Sequence, residues 1–107
     1  MAALRYVILR HEGVPEPHFD LMFEIAEGSK LATWRSRSWP PLTSQRIEKI
    51  GDHRREYLSY EGPVSNDRGR VTRVESGTYE TVPGSHGQAI AFKLHDETNR
   101  VLLLPVQ

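Results

Sequence analysis

The chain of 107 residues contains no cysteine, which excludes disulfides, thiolate metal ligands and cysteine nucleophiles. It also lacks net charge, with Lys+Arg and Asp+Glu at 14 each. The overall basic excess of many nucleic-acid-binding domains is therefore missing. Lysine is scarce, so the basic residues are mostly arginine. Arginine suits bidentate phosphate or carboxylate contacts, although GC-rich coding gives the same bias. No apolar run approaches the ~18 residues of a membrane span. The opening MAALRYVILRH lacks the apolar core and small-residue cleavage site of a secretory signal. The expectation is a soluble, cytoplasmic protein with no membrane association. At this length it should form one domain, residues 1–107, with its own core. A hydrophobic share of 37% is slightly low for a globular domain and suits a small β-barrel.

What the sequence does hold is concentrated between His11 and Glu24, HEGVPEPHFDLMFE. After the Gly/Pro-punctuated loop Glu12–Pro17, the run FDLMFEI alternates as a strand does. Leu21, Phe23 and Ile25 fall on one face, and His18, Asp20, Met22 and Glu24 on the other. His11 closes the preceding strand, and the short loop brings it back beside His18 and Asp20. Two imidazoles and one carboxylate with coordination positions left open form a donor set for Zn²⁺, Mn²⁺ or Fe²⁺. Glu24, on the same face, is expected either to orient a ligand histidine or to be exposed.

Leu4–Arg10 reads as the first strand and Phe19–Ala26 as the second, ended by the turn Glu27-Gly28-Ser29. Lys30–Arg37 should return antiparallel, with Thr33, Arg35 and Arg37 facing one way and Ala32, Trp34 and Ser36 the other. Trp39-Pro40-Pro41 breaks regular structure. Thr43–Ile50 fits either a helix or a strand. Asp52 reads as the cap of a short helix over HRREYLSY, on which His53 and Tyr57 would share a face. Glu61-Gly62-Pro63 stops it, and 65–69 is a polar turn. Strands are expected over Arg70–Glu75, Gln88–His95 and Arg100–Val106, with a short extra one over Thr78–Val82. The fold class is mainly β: a compact antiparallel β-barrel with one or two short helices. Trp34 and Trp39 read as packing residues, and His86 and His95 as surface residues.

Three stretches carry a resemblance. RYVILRH followed by HFDLMFE, then LATWRSR, then GDHRREYLSYEG with a later SGTYE resemble, in order and spacing, the 3′-phosphoesterase domain of bacterial DNA ligase D. The resemblance covers roughly residues 5–80 and is loose beyond. It implies a β-barrel that binds a divalent metal, manganese by preference and zinc as the alternative. It implies an enzyme that trims nucleic-acid 3′ ends in DNA repair by non-homologous end joining. In that family a phosphodiesterase step removes a terminal ribonucleoside, and a phosphomonoesterase step removes the 3′-phosphate.

By motif position the resemblance makes His11, His18 and Asp20 the metal ligands, and puts His53 and Tyr57 on the phosphate side. Arg10, Arg35, Arg37 and Arg46 are the candidates for phosphate or nucleic-acid contacts. The implied partners are the 3′ ends of DNA or DNA/RNA primer–templates and repair ligases or polymerases, with the protein itself a monomer. The sequence departs from the family at four places. Met22 stands where the family has arginine, Leu9 where it has glutamine, Gly51 where it has an acidic residue, and the glycine-rich loop after the EG motif is shortened to PVSNDRGR. These departures keep a second expectation open: a catalytically weak, metal-retaining relative that binds nucleic-acid ends or phosphate. A third is a scaffold domain that uses metal for stability.

Overall fold

The computed structural model describes residues 3–41, 46–84 and 89–106. Its elements are β1 (Leu4–Glu12), β2 (His18–Glu24), β3 (Leu31–Ser36), β4 (Glu48–His53), a 3₁₀ turn (Arg55–Leu58), β5 (Gly62–Pro63), β6 (Arg70–Thr81), β7 (Ala89–Leu94) and β8 (Val101–Pro105). The strands form one antiparallel sheet in the order β4-β3-β2-β1-β6-β7-β8, with β5 pairing a second time along β6. The protein is mainly β, as the sequence implies, and the sheet curls into a half-barrel with β4 and β8 at the ends of its hydrogen-bonded path. The Trp34 indole N–H on β3 donates to the Pro105 carbonyl at 2.7 Å, tying the β8 end to the strand next to the opposite edge, β4.

Strand alternation distributes the apolar residues over both faces. Tyr6, Ile8, Leu21, Phe23, Trp34 and residues of β6–β8 make the larger core on one face of the sheet. Phe23 is its hub, with ring centroids of Phe92 at 4.7 Å, Tyr79 at 5.1 Å and Trp34 at 5.7 Å. Offset and edge-to-face aromatic pairs of this kind add to the area they bury. Val7, Leu9, Met22, Leu31, Leu58 and Val71 pack on the opposite face into a second, smaller cluster. His11, His18, Asp20 and Glu24 of the β1–β2 hairpin lie on this second face.

Several local expectations are corrected. β2 stops at Glu24, and Ile25 is 53% exposed; the chain is already turning there, so the alternation no longer directs it inward. Residues 48–50 belong to a strand, while 43–45 of the ambiguous stretch lie outside the described residues, as does His86. Asp52 caps no helix. It lies within β4, and the 3₁₀ turn begins after Arg54 with no side-chain cap. The segments Arg70–Glu75 and Thr78–Val82 are one strand, β6, whose pairing with β1 skips Val74 at a bulge opposite Ile8 and Leu9. Gly77, between the two expected segments, sits opposite Tyr6, where an added Cβ would meet the ring at 3.4 Å. The tyrosine covers the space the glycine leaves, so the strand continues through it.

Candidate metal centre

The β1–β2 hairpin pairs His11 directly with His18 across the ladder. Asp20 is two residues along from His18, hence on the same face and diagonal to His11. The two imidazoles meet edge to face, centroids 4.9 Å apart. Asp20 Oδ2 is 3.8 Å from His11 Nδ1, and its Oδ1 is 3.5 Å from His18 Nε2. One ligand atom from each of the three lies within 4.8 Å of the others. Donors around a single tetrahedral ion at about 2.1 Å stand roughly 3.4 Å apart, so small side-chain rotations bring all three onto one cation.

The remaining ring nitrogens decide which atoms face the ion. His11 Nε2 lies 2.6 Å from the Arg68 carbonyl, and His18 Nδ1 lies 2.8 Å from the Glu16 carbonyl. A carbonyl only accepts, so each of these nitrogens carries the proton. In the neutral imidazoles this leaves His11 Nδ1 and His18 Nε2 as the ligand nitrogens, on the Asp20 side at 3.8 and 3.5 Å from its carboxylate. Backbone carbonyls holding the far nitrogen of a ligand histidine are the usual way of fixing tautomer and ring orientation in metal sites. His18 Nε2 and Asp20 Oδ1 are buried, and neither has a hydrogen-bond partner among the described residues. A buried carboxylate left this way is costly unless a cation completes it. Asp20 is 2% exposed, which rules out a merely solvated carboxylate.

These three residues stand in a cleft of about 740 Å³. Arg35, Arg37, Arg46, His53 and Tyr57 also line it, so the structure brings together the sequence candidates with one exception. Arg10 is that exception: it alternates with His11 onto the other face and pairs with Glu12 at 3.0 Å. Arg35 stands directly opposite Asp20 in the β2–β3 register, with its buried Nε 3.6 Å from Asp20 Oδ1. Arg37 is exposed and faces Glu16 at 3.5 Å.

His53 and Tyr57 meet, ring centroids 5.9 Å apart, though not by helical spacing. His53 ends β4, and the extended Arg54 leads into the 3₁₀ turn that carries Tyr57. The His53 Nδ1–H donates to the Gly51 carbonyl at 3.0 Å, which leaves Nε2 as the nitrogen available to a ligand.

Leu9 and Met22 both belong to the second apolar cluster, and of the two Met22 lines the cleft, so an apolar side chain stands beside the triad. Glu24, expected as an orienting partner or an exposed residue, is neither. It is buried at the far end of β2 and accepts from the Arg5 amide at 3.1 Å and from the Arg55 guanidinium. Burial would raise its carboxyl, but these hydrogen bonds outweigh that and hold it below the ordinary range.

The sequence reading missed Arg68 and Gly69. Gly69 has φ +80°, and an added Cβ would meet the Glu12 carbonyl oxygen at 2.1 Å. Only glycine permits this approach, which sets the Arg68 carbonyl on His11. The signal available was the Asn-Asp-Arg-Gly turn itself. No protein-family model and no curated protein matches the chain.

Proposed function

We propose that the protein is a divalent-metal-dependent phosphoesterase that processes nucleic-acid 3′ ends, acting on a terminal 3′-phosphate or 3′-ribonucleotide. The observation that carries this reading is the triad: two imidazoles whose ligand nitrogens lie beside one buried carboxylate. It lies within a cleft rimmed by arginines. Nitrogen and oxygen donors of this kind suit Mn²⁺ and Zn²⁺ alike, and the resemblance to the ligase D domain favours manganese. When bound, the cation supplies Lewis-acid polarisation of a phosphoryl oxygen and acidifies a water nucleophile.

The chain's own residues supply the rest. Arg35 neutralises phosphate charge next to the triad, taking the role that Met22 has lost. His53 Nε2 hydrogen-bonds the phosphoryl group or protonates the departing oxygen, a task matched to imidazole's near-neutral intrinsic range. Tyr57 orients the phosphate against His53. Arg37 and Arg46 hold backbone phosphates farther out.

Mn²⁺ should drive phosphate release from a 3′-phosphorylated primer–template, and His18→Ala or Asp20→Ala should abolish it. Met22, an apolar cleft residue where the resembled family has arginine, favours a second reading, a metal-retaining module that binds 3′ ends with little turnover. Tight binding of the same duplex with no phosphate released would select that reading. Neither binding nor turnover would remove both.

A further inference from the structure

A second groove, of about 380 Å³, continues from the metal cleft and shares Arg54, Tyr57 and Val64 with it. Its volume lies within the range of small-ligand sites. Tyr60 is the aromatic wall of the groove that the metal cleft does not share. Its ring meets Tyr57 edge to face at 5.9 Å, and Tyr57 in turn meets His53 at 5.9 Å. The three rings thus run as a ladder from the phosphate side of the cleft into the groove.

Tyr60 is built as a fixed, open platform. Its hydroxyl donates to the Pro63 carbonyl, so the polar end of the ring is already used. Gly62, with φ +134°, lies so close that an added Cβ would stand 3.3 Å from that hydroxyl. A side chain there would press on the ring. Despite these constraints Tyr60 is 38% exposed, an aromatic surface held in place without being covered. Arg54 stands at the junction of the two cavities, its only described ion-pair partner being Glu56 at 3.9 Å, and both side chains are mostly exposed. Such a pair is weak enough to yield to a phosphate.

We infer that this groove is a subsite for the nucleobase of the nucleotide bearing the 3′-phosphate, an inference that rests on the phosphoesterase reading of the adjoining cleft. Order along the ladder matches order along the substrate: phosphate at the triad and His53, then base on Tyr60. Arg54 at the junction accepts the phosphate on the 5′ side. Aromatic platforms accept any base because each has a π face, so the subsite distinguishes nucleotide ends from small phosphoesters without reading sequence.

The test measures Mn²⁺-dependent binding of two 3′-phosphorylated primer–templates that differ only in having a normal or an abasic terminal nucleotide. The wild-type protein should prefer the base-bearing end by roughly 5- to 100-fold. Tyr60→Ala and Tyr60→Leu should bring that ratio close to one while leaving affinity for the abasic end and for inorganic phosphate unchanged. Leucine keeps the apolar bulk but loses the π face together with the hydroxyl bond to Pro63, so Tyr60→Phe, which loses the hydroxyl alone, should keep the preference and separates stacking from that bond. Tyr60→Trp should retain the preference. Equal wild-type affinity for both ends overturns the subsite while phosphate still binds, as does an equal loss for both ends in the Tyr60 variants. Failure of inorganic phosphate and both ends to bind at all means the phosphoesterase reading has fallen and the subsite with it.

Discussion

Asp20 has two suitors, a metal held with His11 and His18 and the guanidinium of Arg35. The contact with Arg35 is 3.6 Å from Nε, with Arg35 less than half exposed, too long for a good hydrogen bond. Arg35 is thus poised beside the carboxylate without satisfying it. This geometry predicts opposite effects of Arg35→Ala on two affinities. Binding of inorganic phosphate should weaken about tenfold, the lower end of a charge-assisted hydrogen bond, because solvent screens a partly exposed arginine. Mn²⁺ affinity, by contrast, should hold or rise, since a cation competing for Asp20 has gone. Isothermal titration with each ligand separately reads both. A parallel fall in both affinities would mean that Arg35 shapes the triad instead of meeting the substrate. The choice of His18 and Asp20 was legible in the sequence because strand alternation is a strict two-residue period. That Arg35 would stand opposite Asp20 needed the register of β3, which follows from the turn after β2. Arg10, a candidate for phosphate contacts, does not line the cleft because the same alternation sends it away from His11.

At the level of elements, the site is one hairpin braced by one loop. The β1–β2 register places His11 against His18, and the loop 65–69 supplies the carbonyl that fixes His11. The loop is closed by the Val64 amide donating to the Gly69 carbonyl at 2.8 Å. Gly69→Ala would drive a methyl into the Glu12 carbonyl, so the loop must move away. The expected result is a loss of stability together with Mn²⁺ affinity reduced by about 10- to 100-fold, the usual effect of losing a group that orients a ligand histidine. An alanine variant with full metal affinity would show that the Arg68 carbonyl does not set His11. The hairpin and its faces could be read from the sequence because alternation and Gly/Pro punctuation agree there. The region around Asp52 could not. A good cap signal was overridden by pairing of β4 with β3, a non-local contact that local propensity does not register. His53 and Tyr57 come together all the same, because the 3₁₀ turn that follows the extended Arg54 sets Tyr57 against the end of β4.

The whole molecule is held at two places that respond to pH in opposite directions, and both involve Glu24. Its carboxyl binds Arg55, which lies in the 3₁₀ turn between His53 and Tyr57, so this ion pair anchors the far wall of the cleft to the end of β2. Its backbone carbonyl accepts from the Tyr79 hydroxyl. The Glu24 carboxyl is held below its ordinary value of 4.5, so the unfolded chain takes up the proton first as pH falls. The stabilisation is complete above that value and is lost on acidification through the folded value. Tyr79 behaves in reverse: burial, reinforced by the Glu24 charge, pushes its hydroxyl from 10.0 up to about 12. Its contribution is complete below pH 10 and disappears as pH rises toward 12. Burial, with the hydrogen bond to Glu75 next, raises Tyr6 as well, so alkaline loss should be steep. Melting temperature against pH should therefore form a plateau with two flanks of separate origin. Glu24→Gln should flatten part of the acid flank, Asp96 keeping the remainder because hydrogen bonds from Arg100 and Thr98 outweigh its burial and lower it too. Tyr79→Phe should flatten part of the alkaline flank and leave the acid one alone. Arg55→Ala, which strands the buried Glu24 carboxylate, should cost about 2–3 kcal/mol at neutral pH, somewhat below a fully buried pair because Arg55 is a third exposed. It should also loosen His53 and Tyr57 while sparing the triad, so phosphate turnover falls and Mn²⁺ affinity does not. A Glu24→Gln variant destabilised equally at every pH would locate the acid flank elsewhere.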